Sequence, residues 1–316
     1  MEVVTGLENI NILENTAVCI GNFDGLHLGH RSIISVLKEE AKQRGLKSVI
    51  LTFSPHPYKF FNKHIKLIST PKKRLEKFYQ MDTDYLVTLE FNNQLASLKP
   101  EEFFYNILIK KLHAKLIIVG QDYKFGSGKS GDTILLKKLA LENNIDTLFA
   151  HKLHDRKGEI ISSSKIRTLL ENGEVDEASR LLSMPYSLEG IIIHGDKKGR
   201  QLGFPTINLD VVNEMLPLFG VYAAKVKLKD KYYNAMAYVG NRPTINNKME
   251  MRVEANIFNF NEEIYGEYAE IVLYKYIRSD IKFNSIDELI LQMNNDKEEV
   301  CKYLKNVDDY QNTLGC

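Results

Sequence analysis

Cysteine is scarce in this chain, and long apolar runs are missing. The three cysteines, Cys19, Cys301 and Cys316, are odd in number and widely scattered. They fit neither a disulfide framework nor a metal-ligand spacing, which points to a reducing cytoplasm. Cys19 sits in a short apolar run and reads as core packing. No apolar run approaches the ~20 residues that span a bilayer. The start, Met1-Glu2-Val3-Val4, has no basic segment leading into an apolar one, so neither secretion nor a membrane anchor is expected. Charge of one sign is lacking too. The 42 Lys and Arg nearly balance the 41 Asp and Glu, for a net charge of +1. No broad field is left to attract nucleic acid or an acidic membrane. Low-complexity tracts and internal repeats are also absent. What remains is an ordinary globular composition, 44% hydrophobic and 26% charged, and 316 residues suffice for two domains with separate cores.

Up to about residue 182, short apolar strands alternate with amphipathic helical patterns. Strand-like runs fall at 17–20, 48–53, 85–89, 116–119 and 147–150, with helical patterns at 29–44, 71–81, 100–112 and 133–143. Strict β/α alternation predicts a parallel, Rossmann-like sheet covered on both faces, with ligands at the carboxyl ends of its strands. Two short helical patterns follow, at 164–171 and 175–182. The texture then changes. Strand-like runs at 190–194, 221–228, 232–239, 252–260 and 269–276, with a hairpin turn at Lys229-Asp230-Lys231, predict a compact antiparallel barrel. A closing helix is predicted over 286–304, capped by Ser285. The expected domains are 1–182 and 183–316.

The most telling segment is Gly21-Asn22-Phe23-Asp24-Gly25-Leu26-His27-Leu28-Gly29-His30. It lies between a strand and a helix. A helix N-terminus offers free N–H groups and partial positive charge to phosphate. Gly21, Gly25 and Gly29 allow close approach of backbone and ligand, and the imidazoles of His27 and His30 can donate to phosphate oxygens as charge builds there. The pattern suggests attack on a nucleotide α-phosphate. Thr52-Phe53-Ser54-Pro55-His56-Pro57 ends the second strand, with His56 held between two prolines. Gly120-Gln121-Asp122-Tyr123-Lys124-Phe125-Gly126 ends another. There Asp122 suits a ribose or flavin hydroxyl, and the aromatics, Phe125 among them, suit a flat ring. The neighbouring 126–131 stretch is no P-loop, because Tyr123 stands where the first glycine is required. It reads as a mobile basic loop near the phosphates. Ile161-Ser162-Ser163-Ser164-Lys165-Ile166-Arg167 puts hydroxyls and two cations at a helix start, a second anion site.

In the second half, Gly195, Lys197 and Gly199 suit a flexible loop over phosphates, which continues through Gly203-Phe204-Pro205-Thr206-Ile207-Asn208. Thr206 and Asn208 are two apart, so an extended segment turns them to one side. Two neutral oxygens so spaced can share a magnesium ion with phosphates and water.

The decapeptide resembles the first motif of the adenylyltransferase superfamily that includes class I aminoacyl-tRNA synthetases, in its FAD synthetase form. The 161–167 segment is similar to the second motif, Ile-Ser-Ser-Thr-x-Ile-Arg, with Ser164 in place of threonine. The 203–208 segment resembles the riboflavin kinase signature Gly-Phe-Pro-Thr-Ala-Asn. Further matches are Gly220-Val221-Tyr222-Ala223, Gly240-Asn241-Arg242-Pro243-Thr244, Val253-Glu254-Ala255-Asn256 and Tyr265-Gly266. The whole chain thus resembles the prokaryotic bifunctional riboflavin kinase/FMN adenylyltransferase family. This resemblance implies riboflavin and ATP giving FMN in the barrel, then FMN and ATP giving FAD and pyrophosphate in the α/β domain, with Mg2+ at both sites. It implies Glu254 as general base for the ribityl hydroxyl. Asn22, His27, His30, Ser163, Ser164 and Arg167 would surround the ATP phosphates, with Gly21, Phe23, Asp24, Gly25 and Gly29 in the same nucleotide site. His56, Pro57, Asp122, Phe125, Arg242 and Tyr265 would bind flavin. Asn256 replaces the family's histidine, which leaves its role open. The expected partners are small molecules rather than nucleic acid or membrane, and a transient homo-oligomer stays open. The alternatives are an adenylyltransferase whose barrel only binds flavin, a flavin-dependent regulator that binds RNA or protein, and a different acceptor or nucleotidyl donor in the first domain.

Overall fold

The computed structural model describes residues 1–61, 64–195, 198–243 and 249–314. They divide into two compact units, 1–163 and 164–316.

In the first unit six strands form one sheet: β1 (Glu2–Thr5), β2 (Thr16–Ile20), β3 (Lys47–Ser54), β4 (Tyr85–Glu90), β5 (Ala114–Gly120) and β6 (Asp146–Ala150). Their order is β1-β4-β3-β2-β5-β6, and every neighbouring pair is parallel. β2 is buried along its whole length, as a strand covered on both faces must be. Alternate residues feed two cores. Val18, Ile20, Val49, Leu51, Ile117 and Val119 join Phe103, Phe104 and Ile107 on one side. Ala17, Cys19, Ile50, Leu116 and Ile118 join Ile34, Leu37 and Ala41 of the helix Leu28–Arg44 on the other. The chain leaves β2 for β3 and β4 in one direction and continues through β5 and β6 in the other. The carboxyl end of β2 therefore lies at the topological switch point, where such sheets bind ligands. The predicted helix at 100–112 forms as Pro100–Phe103 followed by a π-helical stretch, Phe104–Ile109.

The second unit is a closed antiparallel barrel of β7 (Tyr186–Ile193), β8 (Ile207–Val211), β9 (Gly220–Leu228), β10 (Lys231–Pro243), β11 (Met249–Ile257) and β12 (Tyr268–Arg278), in the order β10-β11-β8-β7-β12-β9. β9 and β10 close it, joined by the turn read from Lys229-Asp230-Lys231. Along β11, Val253, Ala255 and Ile257 pair with Val239, Ala237 and Ala235, all buried inside. Glu254 and Asn256 pair with Tyr238 and Met236 and so turn to the outer face. There the helix Ile286–Leu314 packs Val300 and Leu304 against Val221, Ala223 and Met236. Ser285 caps this helix, its hydroxyl accepting the Glu288 N–H at 3.1 Å. Asp296, 2% exposed, is gripped by Arg278 at 2.7 Å and Gln292 at 2.8 Å.

Sequence texture changes near residue 183, whereas the compact units part at 163/164. The short helices Ser163–Glu171 and Val175–Leu182 group with the barrel. The Leu218 N–H donates to the Leu170 carbonyl, and the Tyr186 N–H donates to the Ser179 hydroxyl. Surface texture registers composition, but these bonds decide the grouping.

Candidate active sites

Gly21 follows β2 directly. The loop after it holds three residues with positive φ: Phe23 (50°), Gly25 (84°) and Leu26 (46°). For Phe23 and Leu26 this conformation is strained, and their burial, 1% and 0% exposed, holds it in place. The glycines leave room for rings. A Cβ on Gly21 would lie 2.9 Å from the Phe23 ring, and one on Gly29 would lie 3.2 Å from the His27 ring. His27 is the N-cap of Leu28–Arg44, its Nδ1 accepting the His30 N–H at 3.3 Å. The two imidazoles stack at 3.7 Å, and Phe23 meets His30 edge-on at 5.3 Å. Burial pushes the His27 pKa down to about 4. Burial, then the like charges of His27 and His56, holds His30 well below the ordinary histidine value. Both rings are thus neutral near pH 7. His30 Nδ1 is buried and has no hydrogen-bond partner among the described residues.

The loop is braced from a distance. The Asp24 carboxylate accepts the Ile68 N–H at 3.0 Å and the Ser69 N–H at 3.5 Å, and the Asp24 carbonyl accepts the Ser163 hydroxyl at 2.9 Å. Two cations from the helix Pro71–Tyr79 approach the same loop. Lys77, 4% exposed, donates to the Gly25 carbonyl at 3.0 Å, and Arg74 donates to the Asn22 and Phe53 carbonyls at 3.5 and 3.3 Å. The sequence reading missed both. A basic residue in an amphipathic helix ordinarily faces solvent, and the one available signal was Lys77 standing directly beside the apolar Phe78.

The other predicted residues of this unit vary in placement. His56 is buried, and its Nδ1 accepts the Tyr58 N–H at 3.1 Å, so it starts the short helix Pro57–Phe61. Its charge bears on His30, which brings the 52–57 loop beside the histidine pair. Asp122 is exposed and pairs with Lys152 at 2.9 Å. Phe125 is buried, with Tyr123 stacked on it at 5.6 Å and Phe103 at 6.0 Å. The 126–131 stretch holds a short 3-10 turn, Ser127–Lys129, whose Lys129 donates to the Tyr58 hydroxyl at 3.1 Å. Ser163 begins the helix that carries Ser164 and Arg167, the latter two belonging to the second unit.

In the barrel, register does what proximity in sequence does in the first unit. Asn208 of β8 lies directly opposite Glu254 of β11, and Ile207 opposite Ala255. Glu254 pairs with Arg252 on its own strand. Gly195 leaves space for Asn208, since a Cβ there would collide with the Asn208 amide. Gly199 accepts the Leu202 and Phe204 N–H groups, and Gly203 (φ 83°) closes that turn. A cavity of about 130 Å³ is lined by Pro205, Thr206, Ile207, Ala255, Ile257 and the 260–265 segment ending in Tyr265. Tyr265 packs on His194 at 3.9 Å. Thr206 reaches the cavity, while Glu254 belongs to the other face of β11. Arg242 lies near the end of β10. Lys197 and Thr244 lie outside the described residues. Among the described residues no cluster of three His, Cys, Asp or Glu side chains could hold a metal ion.

Comparison with known proteins agrees with this division. The FAD synthetase family profile matches residues 9–165, and the riboflavin kinase profile matches 182–304. The bifunctional riboflavin kinase/FMN adenylyltransferase of Bacillus subtilis is 37% identical, over 92% of this chain and 93% of that protein. The Escherichia coli K12 protein of the same description is 32% identical, over 94% and 96%. A crystal structure described as a macrolide-efflux protein from Streptococcus pneumoniae superposes with a TM-score of 0.86 at 34% identity, covering 94% of this chain and 98% of that one. Among the described residues, no helix is long and apolar enough to cross a membrane. The chain belongs to the bifunctional riboflavin kinase/FMN adenylyltransferase family, and it converts riboflavin to FMN and FMN to FAD.

Proposed function

We propose that adenylyl transfer is the work of the N-terminal domain, 1–182, and phosphorylation that of 183–316. Neither family profile covers 166–181, the two short helices, which suits a connecting role for them. The observation that carries the first assignment is the neutral, stacked His27–His30 pair at a helix N-terminus on the switch point of the sheet, with His30 Nδ1 lacking a partner among the described residues. Asn22, His27 and His30 would orient the ATP phosphates and stabilise charge as an FMN phosphate oxygen attacks the α-phosphorus and pyrophosphate leaves. That nucleophile is already an anion, so no side chain needs to take its proton. Asp24, Arg74 and Lys77 hold the loop for this task. Ser163, Ser164 and Arg167 as phosphate ligands, and His56, Pro57, Asp122 and Phe125 as flavin contacts, rest on the sequence pattern.

In the barrel, Glu254 would accept the proton of the ribityl 5′-hydroxyl, which attacks the γ-phosphorus of ATP while ADP leaves. The Thr206 and Asn208 oxygens, hard and neutral, would hold Mg2+, which neutralises phosphate charge when bound. The bare backbone at Gly195 leaves room for the Asn208 amide. The cavity at Thr206 and Tyr265, with Arg242, would receive flavin, and the glycine loop with Lys197 the nucleotide. Both reactions consume ATP, and the cytoplasm is the proposed compartment.

The test follows flavins by chromatography with riboflavin or FMN, ATP and Mg2+. Glu254→Gln should slow FMN formation by about 10²–10⁴-fold and spare FAD formation from supplied FMN. His30→Ala should do the reverse, by about 10²–10³-fold. Unchanged FMN formation in Glu254→Gln would remove Glu254 as the base.

A further inference from the structure

We propose that Asn256 is a positioning residue for phosphoryl transfer, fixing Thr206 at the junction of the flavin cavity and the phosphate side of the barrel. Asn256 is 6% exposed, and its Nδ2 donates to the Pro205 carbonyl at 2.6 Å. The reason lies in the strand ladder. β8 and β11 pair at Asn208–Glu254 and Ile207–Ala255. One step further, the same register would set Thr206 opposite Asn256. The ladder stops there, because β8 begins at Ile207, and Pro205 has no N–H to donate. The Asn256 amide, buried as it is, would cost about 1–3 kcal/mol if left unpaired, and the Pro205 carbonyl gives it a partner where the strand pairing has ended. The carbonyl it holds is joined through one peptide bond to Thr206, which lines the cavity. Asn256 and Glu254 share the outer face of β11, two residues apart. A single strand therefore carries the candidate base and the group that ties down the candidate metal ligand.

This inference rests on the reading of Thr206 and Asn208 as ligands of the magnesium–phosphate complex. What the position needs is an N–H donor of the right reach. Histidine can meet that need through a ring nitrogen. Aspartate, close to asparagine in shape, would turn a carboxylate oxygen on the Pro205 carbonyl.

The experiment measures Mg2+ binding to the full-length protein in the presence of ADP by calorimetry, and FMN formation against Mg2+ concentration, with FAD formation from supplied FMN as the control for an intact chain. Asn256→Asp should raise the Mg2+ concentration for half-maximal FMN formation at least tenfold. Asn256→Ala should raise it severalfold, and Asn256→His should restore it to near the parent value, with FAD formation unchanged in all three. Wild-type magnesium dependence in Asn256→Asp, or equal loss in Asn256→Ala and Asn256→His, overturns the proposal. Thr206→Ala separates the two layers. If it shifts the magnesium dependence and the Asn256 variants do not, the positioning role alone fails. If neither shifts it, the ligand reading beneath it fails.

Discussion

In the first unit the groups proposed to face phosphate are neighbours in the chain, and their supports come from far away. Asn22, His27 and His30 lie within one loop and helix start, while Ile68, Arg74 and Lys77 fasten that loop from another segment. In the barrel the arrangement is inverted. Asn208 and Glu254 are distant in sequence and meet through strand register, and the support, Asn256, lies on the same strand as Glu254 and reaches across to the Pro205 carbonyl. A strained loop needs outside bracing because its own backbone hydrogen bonds are few. A barrel strand is already fixed by its ladder and needs help only where the ladder ends. Damage should follow this difference. Loss of a brace in the first unit should act locally on one reaction, whereas loss of barrel integrity should act on the whole second site.

The largest expected effect tests the barrel. Asp296→Ala leaves Arg278 without its buried partner and should destabilise the second unit by about 3–5 kcal/mol. Denaturant titration with activity assays should show FMN formation lost at concentrations where FAD formation from FMN persists. Simultaneous loss of both would break the comparison.

Asp24→Ala comes next. It leaves the buried Ile68 N–H without an acceptor, a cost of about 1–3 kcal/mol, and frees the 21–30 loop. FAD formation should fall far more than FMN formation, and equal falls would mean that the bond has no local role.

The smallest effect is on pH dependence. The folded pKa of His27, about 4, lies below its ordinary 6.5. The unfolded chain therefore binds protons first as pH falls, and stability is full above pH 6.5 and declines down to about pH 4. His27 alone should cost about 1 kcal/mol between pH 6 and pH 5, with His30 acting in the same direction. His27→Gln should flatten the slope of unfolding free energy over that window. An unchanged slope would show that the imidazole is not held neutral by burial.

Much of this was legible before any coordinates. The period-2 and period-3.6 patterns gave the parallel sheet, the barrel and the closing helix, since burial of one face leaves its mark on every second or third residue. They passed over β1 and β8. β1 has only four residues, and β8, Ile207–Val211, is hidden behind the signature loop that precedes it. The helical pattern ended at 304, but the helix continues to Leu314 through a polar stretch that gives no amphipathic signal.

Read alone, the residues pointed to the candidate reacting segments. Glycine spacing, paired imidazoles and the Thr206–Asn208 pair are local facts about side chains that chemistry can read directly. What holds them came from the fold: Asp24 turned to Ile68, Lys77 buried under Gly25, Glu254 set opposite Asn208, and Asn256 closed on Pro205. Each of these is a contact between distant residues, fixed by strand register and by the need of every buried polar group for a partner. Neither leaves a periodic trace in a single chain.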